Sequence, residues 1–312
     1  MTLALQLVTY HGARYLPSLL QSLSAQTDQD WILHVRDHSH DPREIAETQR
    51  VVAAYAHDGK TIYSYDASNP GFAGGHQALF ALHASDLIML VNQDAVLDRQ
   101  YIEHLRRVFD NETVAIASGL IIRCHFEQGR VCPTEEVDTA GLLKNRAHEV
   151  RDVINMPDSQ EPFDVFGVSG CLPMIRRRAV EQTSFGAQLF DPRYWMYKED
   201  VDLAYRFFGT KWRTLTVPRA IAYHERGVAK DNRRRMSHNA RLFSYRNHVW
   251  NLITHLRGRD WLRDGLWVIP YELGKILYHT LLHPSVVWHA WCDTWRLRKH
   301  LSQKRAFYAR SR

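Results

Sequence analysis

The sequence contains little cysteine, no CxxC pair and no long apolar run. Only four of its 312 residues are cysteine, which excludes a disulfide-stapled miniprotein. No basic region followed by an apolar run and a small-residue cleavage site opens the chain, so we expect a cytoplasmic protein with reduced thiols. The longest charge-free stretch of the C-terminal part, 276–292, contains Pro284 and three histidines. Because a membrane span needs roughly 20 apolar residues, we do not expect a spanning helix.

What the chain does contain is a core-forming composition with an uneven charge distribution. With 45% hydrophobic and 24% charged residues, disorder and collagen-like repeats are excluded. The net charge of +6 is unevenly distributed along the chain. From Arg233 onward there are 16 Lys+Arg and only 4 Asp+Glu, and six of the nine tryptophans lie there too. Tryptophan beside Lys and Arg is typical of a lipid headgroup boundary. We therefore predict two regions, 1–232 and 233–312, the second basic, helical and membrane-associating.

The first 120 residues alternate between short apolar runs and helical periodicity. The pattern predicts helices around 45–55, 73–84 and 101–109, and strands at 3–9, 31–35, 62–65, 87–91 and 114–118. Such alternation is typical of an α/β fold with a mostly parallel, Rossmann-like sheet covered by helices on both faces. Ligands of open sheets bind beyond the carboxyl ends of the strands. The looser sequence from about 123 to 165 is predicted to be an excursion at that edge.

Two polar turns follow predicted strands at this edge. Asp37 lies in a cluster of short polar side chains after the second strand, where capping and turn chemistry is the alternative to ligand binding. After the third strand, Asn69 precedes closely spaced glycines, Gly71, Gly74 and Gly75. Backbone N–H groups can approach a phosphate at such a helix end, although a generic glycine turn is equally consistent with the pattern.

Carboxylates mark two further positions. Asp94 stands just beyond the fourth strand, as a ligand of a divalent cation or as a helix N-cap. Glu199, Asp200 and Asp202 put three carboxylates within four residues, which can raise a pKa and create a general base. A solvated helix N-terminus is the alternative. His224 ends another apolar run and is a candidate metal or phosphate ligand or a structural histidine.

In their order along residues 3–250, these motifs resemble the inverting family 2 glycosyltransferases of the GT-A fold. The resemblance is closest to the bacterial rhamnosyltransferase-like branch, which builds surface polysaccharides of the O-antigen and cell-wall type. It is carried by Thr9, the Arg36-Asp37…Asp41 turn, Asn69-x-Gly71-Phe72-Ala73-Gly74-Gly75, Asn92-x-Asp94, Gly170, Phe190-Asp191, Tyr197-x-Glu199-Asp200-Val201-Asp202-Leu203, Arg206 and His224.

The resemblance implies a role for each of these positions. Asp200 would be the catalytic base with Glu199 in reserve, Asp94 and His224 would bind Mg²⁺ or Mn²⁺, and Asp37 would contact the nucleobase. The remaining expected donor-binding residues are Thr9, Asn69, Gly71, Gly74, Gly75, Asn92 and Asp94 itself. The expected acceptor-binding residues are Gly170, Trp195 and Asp202.

By the same resemblance, the chain is expected to transfer L-rhamnose from dTDP-rhamnose to a growing glycan carried on a polyprenyl lipid. A UDP-sugar donor (galactofuranose, glucose or N-acetylhexosamine) and a non-catalytic glycan- or nucleotide-sugar-binding protein are the alternatives. The C-terminal tryptophans are interleaved with Leu, Ile and Val and not with a nucleic-acid reader motif. We therefore expect an anionic membrane surface as partner, no nucleic acid, and a peripheral location on the inner face of the cell membrane.

Overall fold

The computed structural model describes residues 1–56, 59–127, 129–226 and 236–310. Its strands are β1 (Leu3–Thr9), β2 (Ile32–Asp37), β3 (Thr61–Tyr65), β4 (Leu87–Asn92), β5 (Ala95–Leu97), β6 (Val114–Glu127), β7 (Arg130–Thr139), β8 (Leu142–Lys144), β9 (Val150–Asp152), β10 (Phe163–Asp164), β11 (Met174–Arg176) and β12 (Arg213–His224). Its helices are α1 (Leu16–Ser24), α2 (Pro42–Tyr55), α3 (Gly71–Leu82), α4 (Tyr101–Val108), α5 (Arg177–Thr183), α6 (Glu199–Phe207), α7 (His238–His255), α8 (Gly258–Leu282), α9 (Pro284–Arg296) and α10 (Arg298–Arg310).

The central sheet confirms the predicted fold class. Its strand order is β10-β12-β6-β11-β4-β1-β2-β3, with β5 and β7 attached to β12 and β6. The run β4-β1-β2-β3 is parallel throughout, and β11 enters antiparallel between β4 and β6. The carboxyl ends of β4, β1 and β2 therefore meet at one edge of the sheet.

Alternating side chains explain why these strands lie at the centre of the sheet. In β4, Leu87, Met89 and Val91 pack into the core on one face, whereas Ile88 and Leu90 pack into the core on the other. A strand that is buried on both faces reads as a continuous apolar run, as this one does. The same burial leaves the polar residues after the strand at the exposed edge.

The segment from 123 to 165 is more ordered than the sequence analysis indicates. It continues β6, turns into the antiparallel strand β7, and then forms the separate β8–β9 hairpin. Most of β7 is exposed or half-buried, and only Val137, Asp138 and Thr139 at its end are buried. Its many polar residues hide the strand from a search for apolar runs.

The C-terminal part is helical, as predicted, and it packs on the sheet domain. Trp250 of α7 and Leu301 of α10 belong to the same apolar cluster as Phe190 and Tyr194. The predicted division at 232/233 lies outside the described residues, within 227–235, and stays a prediction. No helix in the described ranges combines the length and apolarity needed to cross a membrane.

Candidate active site

The ends of β1, β2 and β4 bring three predicted residues side by side. Thr9 is paired with Asp37 in the strand register, and Asn92 ends β4 on the other side of β1. The Thr9 hydroxyl and the Tyr10 N–H both donate to Gln93 Oε1, at 2.8 and 2.9 Å. Gln93, which the sequence analysis left without a role, therefore fixes the distance between the β1 and β4 tips.

Asp37 is fully buried beneath this edge. Its Oδ1 accepts the Ser39 N–H at 2.8 Å, and its Oδ2 accepts the Tyr63 hydroxyl at 3.0 Å. With no exposed surface, the carboxylate is closed to a nucleobase in this conformation. The arrangement favours the turn-shaping alternative for Asp37 over direct nucleobase contact.

The glycine turn is engaged by a distant segment of the chain. Gly71 has φ +73°, and a Cβ there would lie 2.4 Å from the Trp195 carbonyl oxygen. That carbonyl accepts the Ala73 N–H at 3.0 Å, and the Trp195 indole N–H donates to the Asn69 carbonyl at 3.3 Å. Trp195 thus occupies a backbone donor at the start of α3 that a phosphate would otherwise use.

Gly74 and Gly75 serve close packing. A Cβ on Gly74 would lie 2.6 Å from Pro70 Cβ, and one on Gly75 would lie 2.8 Å from Val8 Cγ1. Both glycines are buried. Gly75 therefore lets α3 approach β1, Gly74 leaves room for Pro70, and direct donor contact at either of them is not favoured.

Asp94 and His224 come together although 130 residues separate them. Antiparallel pairing of β5 with β12 sets His224 opposite Ala95. His224 Nε2 lies 3.4 Å from Asp94 Oδ1, and His224 Nδ1 lies 3.0 Å from Asp138 Oδ2. One carboxylate thus holds Nδ1, and Nε2 faces a second carboxylate. This arrangement is typical of a metal-binding histidine with its orienting partner.

The donor set is compatible with one divalent cation. One imidazole nitrogen and one carboxylate oxygen suit Mn²⁺ or Mg²⁺ if oxygens of a bound diphosphate and water complete the coordination. Among the described residues, no group of three or more His, Cys, Asp or Glu forms a complete protein ligand set. Burial lowers the pKa of His224, but Cys171, Asp138 and Asp94 outweigh this and raise it well above its usual range.

Asp200 stands at the start of α6 with its carboxylate oriented by backbone groups. Its Oδ2 accepts the Gly170 N–H at 3.3 Å and its Oδ1 accepts the Val201 N–H at 2.7 Å. Asp200 is half-buried, whereas the neighbouring Glu199 is buried. In the described structure, Glu199 Oε2 has no hydrogen-bond partner.

Burial raises the pKa of Asp200. Burial, followed by the negative charge of Asp200, also raises the pKa of Glu199. A carboxylate with a raised pKa is a stronger base once it is ionised. Because only Asp200 is open to solvent, the geometry favours it for proton transfer at this site.

A buried pair of asparagines on α7 holds the loop that leads into α6. Asn247 Nδ2 donates to three carbonyls, those of Tyr194 (2.9 Å), Met196 (2.9 Å) and Tyr197 (2.7 Å). Asn251 Nδ2 donates to the Lys198 carbonyl at 3.0 Å, and its Oδ1 accepts the Tyr194 hydroxyl at 2.6 Å. We call this set of contacts the asparagine clamp.

The asparagine clamp acts on strained backbone. Trp195, Tyr197 and Lys198 have φ of +62°, +67° and +67°, a region that costs non-glycine residues of order 1–3 kcal/mol each. Such strain persists only when surrounding contacts determine the conformation. The sequence analysis did not identify Asn247 and Asn251. The signal that it offers is their spacing, because two asparagines four residues apart lie on the same face of a helix.

Asp202 points away from this edge into a buried ion-pair cluster. It is 1% exposed, its Oδ1 lies 2.7 Å from His255 Nε2, and its Oδ2 accepts from Arg206 Nε at 3.0 Å. Lys304 Nζ of α10 lies 3.6 Å from Oδ1. Asp202 thus joins α6 to α7 and α10, and this burial does not favour the predicted acceptor contact.

Replacing Asp202 by asparagine should lower the free energy of unfolding by about 3–5 kcal/mol, because it leaves buried cations without their counter-charge. Burial raises the pKa of Asp202, but Arg206 and Lys304 outweigh it and hold the pKa well below its usual range. The stabilisation is therefore present above the unfolded pKa of about 3.9 and is lost as the pH falls below it. Urea unfolding at several pH values measures this.

The matched control for that substitution is Asp164→Asn. Asp164 pairs with Arg213 on the surface, with Nη2 2.7 Å from Oδ2, and its side chain is 61% exposed. An exposed pair contributes about 0–1 kcal/mol. Equal losses in the two variants would contradict a structural role for the buried carboxylate.

Two adjacent residues connect the carboxylate site to the histidine site. The Gly170 N–H contacts Asp200, and the Cys171 side chain is close enough to His224 to raise the pKa of its imidazole. Cys171 is buried and was not among the predicted site residues. Asp200 and the Asp94–His224 pair therefore flank one short backbone segment and form a single candidate active site.

Two solved structures resemble this chain in fold. A structure of GalNAc-T7 with UDP, GalNAc and Mn²⁺ matches with a TM-score of 0.64 and 12% identity over 81% of this chain and 48% of that chain. A structure of S. aureus TarS matches with a TM-score of 0.51 and 11% identity over 84% of this chain and 45% of that one. The chain thus spans about half the length of both, and at these identities the likeness shows the fold alone.

Among curated proteins, none matches the sequence. The family model described as "Glycosyltransferase like family 2" matches residues 3–243, which is most of the chain and includes every site residue predicted from the sequence. The fold is the GT-A fold shared with those structural neighbours, and the chain belongs to glycosyltransferase-like family 2.

Proposed function

We propose that the chain is an inverting, metal-dependent glycosyltransferase that uses a nucleotide-sugar donor. The observation that carries this proposal is the backbone segment Gly170-Cys171, which contacts Asp200 on one side and His224 on the other. It sets a candidate base beside a candidate metal pair. The family match supports assigning the two halves to one transfer reaction.

In this mechanism Asp200 takes the proton from an acceptor hydroxyl as the oxygen forms its bond to the anomeric carbon. The bond from that carbon to the diphosphate oxygen breaks, and the nucleoside diphosphate leaves with the bonding electrons. Attack opposite the leaving group inverts the anomeric configuration. The backbone N–H groups of Gly170 and Val201 orient the carboxylate for this step.

Asp94 and His224 would hold the divalent cation, and Asp138 would orient the imidazole. When bound, the cation neutralises negative charge that develops on the diphosphate. Thr9, Gln93 and Asn92 lie at the adjoining strand tips, where the nucleotide of the donor would bind.

For the donor, dTDP-L-rhamnose is our first candidate on the resemblance of the motifs to the rhamnosyltransferase-like branch. A UDP-sugar is the second, because GalNAc-T7 was solved with UDP and GalNAc. The acceptor we propose is a growing surface glycan on a polyprenyl lipid. The proposed location is the cytoplasmic face of the cell membrane, with an anionic membrane surface as partner.

A panel of sugar nucleotides, each incubated with Mn²⁺ or Mg²⁺ and a lipid-linked glycan acceptor, tests the proposal. We expect metal-dependent release of the nucleoside diphosphate from one donor and a product of inverted anomeric configuration by NMR. Donor binding without turnover on any acceptor would instead favour a non-catalytic binding protein. A product of retained configuration would contradict the mechanism.

Removing a residue of the asparagine clamp should slow glycosyl transfer, because the clamp helps to position Asp200. Asn247→Ala removes a donor from the Met196 and Tyr197 carbonyls, at up to about 1–3 kcal/mol for each group left unsatisfied, whereas the Tyr194 carbonyl keeps the Met196 N–H as its donor. We expect lower kcat with little change in donor affinity, because the Asn247 amide donates to the loop that precedes Asp200 and the substitution leaves Asp94 and His224 untouched. Steady-state kinetics and nucleotide titration measure the two effects.

Thr254→Val is the matched control for the asparagine clamp. Thr254 is buried on the same helix, but its hydroxyl bonds to the Trp250 carbonyl within α7 and does not contact the loop. Similar kcat losses in both variants at equal stability would remove Asn247 from a positioning role.

A further inference from the structure

The outward face of α8 carries a continuous row of leucine and isoleucine. Thirteen of the 23 large apolar side chains exposed in the described residues lie between 261 and 295. The row follows helical spacing and consists of Leu262, Leu266, Ile269, Leu273, Leu277 and Leu281. Leu262 and Leu266 are 91% and 84% exposed. Contiguous apolar surface on this scale marks an interaction site.

Beyond the two exposed arginines of its first turns, α8 carries Asp264, Glu272 and Lys275, and these charged side chains point the other way, toward the protein. Asp264 is buried, with Oδ2 3.3 Å from His148 Nε2. Glu272 Oε1 lies 2.7 Å from His248 Nε2 on α7, and Lys275 Nζ lies 3.9 Å from the same carboxylate. A water-facing surface helix has the opposite arrangement, with apolar residues inside and charges outside. The polarity of α8 therefore matches an apolar environment on its outer side.

Helix α9 extends this surface with aromatic side chains. Trp288, Trp291 and Trp295 recur at intervals of three and four residues, so they share one face, and all three are exposed. On the opposite face, Val286 and Ala290 are buried against α7. Helices α8 and α9 pack against each other. Tryptophan is the side chain that settles at the boundary between lipid headgroups and acyl chains.

Cations stand at both ends of the apolar surface. Arg259 and Arg263 lie in the first turns of α8, and the Arg263 side chain is 57% exposed. Arg296 ends α9, Arg298 and Lys299 follow it, and all three are exposed. An apolar face with tryptophan and flanking Lys and Arg is complementary to an anionic bilayer surface. A second copy of this chain would bring the same cations toward each other, which disfavours a symmetric dimer.

We propose that the outer faces of α8 and α9 insert into one leaflet of an anionic bilayer, with both helices lying along the membrane plane. At 1.5 Å per residue, α8 provides about 37 Å of contact along the surface. This rests on the membrane partner of the proposed function and deepens it by naming the inserting residues. Because leucine burial supplies much of the attachment, high salt weakens binding but does not abolish it.

Vesicle flotation of the full chain tests the inserted face. The wild type should float with vesicles of phosphatidylglycerol and phosphatidylcholine and remain mostly bound in 1 M salt. Leu266→Glu combined with Leu273→Glu should lower vesicle binding more than tenfold. Both side chains are already in water, so the thermal unfolding midpoint should stay within a few degrees. Leu82→Glu, which alters a leucine of α3 that is 61% exposed, is the control and should bind as the wild type does.

Complete release by salt, or no loss of binding in the double variant, would overturn the insertion. A stable dimer of the wild type that becomes monomeric in the double variant would also overturn it and make this face an interface between copies. Metal-dependent donor hydrolysis without vesicles is measured in parallel. If vesicles bind but no donor is hydrolysed, the proposed function fails while the insertion stands.

Discussion

Asp200→Asn should lower the rate of glycosyl transfer by about 10²–10⁴-fold, the range typical of losing a general base. An amide cannot take the acceptor proton, and it also cannot accept both the Gly170 and Val201 N–H groups, as the carboxylate does. Donor affinity should change little because Asp94 and His224 are untouched. Single-turnover kinetics and nucleotide titration separate the two effects.

Glu199→Gln is the matched control for this substitution. Glu199 precedes Asp200 in α6 and is also acidic, but it is buried. We expect a much smaller loss of transfer rate from it than from Asp200→Asn. A crippled Glu199→Gln beside an active Asp200→Asn would move the base by one residue.

The acidity of Asp200 gives an independent check. Burial raises its pKa, and the carboxylate must be ionised to accept a proton. The acid limb of the kcat profile should therefore lie above the ordinary aspartate pKa of about 3.9, with transfer falling as the pH drops through the raised value. A profile that stays flat down to the ordinary aspartate range would contradict Asp200 as the base.

The part of the fold that sequence predicts is the part that local apolar patterning determines. The five strands predicted at 3–9, 31–35, 62–65, 87–91 and 114–118 are all present as β1, β2, β3, β4 and the start of β6. Buried parallel strands need apolar residues at nearly every position. In contrast, β7 is half exposed and polar, so its pairing with β6 is visible only in three dimensions.

The candidate active site also divides into residues that the sequence predicts and residues that only the fold identifies. Asp94, His224 and Asp200 are at positions where a carboxylate or imidazole follows an apolar strand or opens a helix, which the sequence displays. Asp138 and Asn247 act on residues that are 86 and about 50 positions away. No local pattern indicates which distant group they contact, so only the fold identifies them.

The glycine turn shows how a motif can fit two physical explanations. Closely spaced glycines are needed wherever backbone must be approached closely, either by a phosphate or by another part of the chain. Here the approaching groups are Trp195 at Gly71 and Val8 at Gly75. The spacing is the same in both cases, and the sequence therefore could not decide between them.

Asp94→Ala should reduce metal-dependent nucleotide binding more than about 100-fold, since even partners that only orient a metal ligand contribute 10–100-fold to affinity. The fold should persist, because Asp94 lies at the strand tip with its side chain 24% exposed. Calorimetric titration of UDP and dTDP, with Mn²⁺ and with a chelator, measures the effect without requiring turnover. Asp98→Ala, just after β5, is the control and should bind as the wild type does.

Asp138→Asn tests the same metal site with a milder change. The amide keeps the shape of the side chain but weakens the bond that holds His224 Nδ1, now 3.0 Å from Asp138 Oδ2. Nucleotide binding in the presence of Mn²⁺ should fall about 10–100-fold, less than in Asp94→Ala, and binding in the presence of chelator should not change. If Asp94→Ala bound nucleotide as tightly as Asp98→Ala, or if chelation had no effect on the wild type, the Asp94–His224 pair would not be the metal site. A loss in Asp138→Asn that lies between those of Asp98→Ala and Asp94→Ala would instead assign the Asp138 carboxylate to orienting the imidazole. Asp138 would then act on the bound cation only through His224, whereas Asp94 would bind the cation directly.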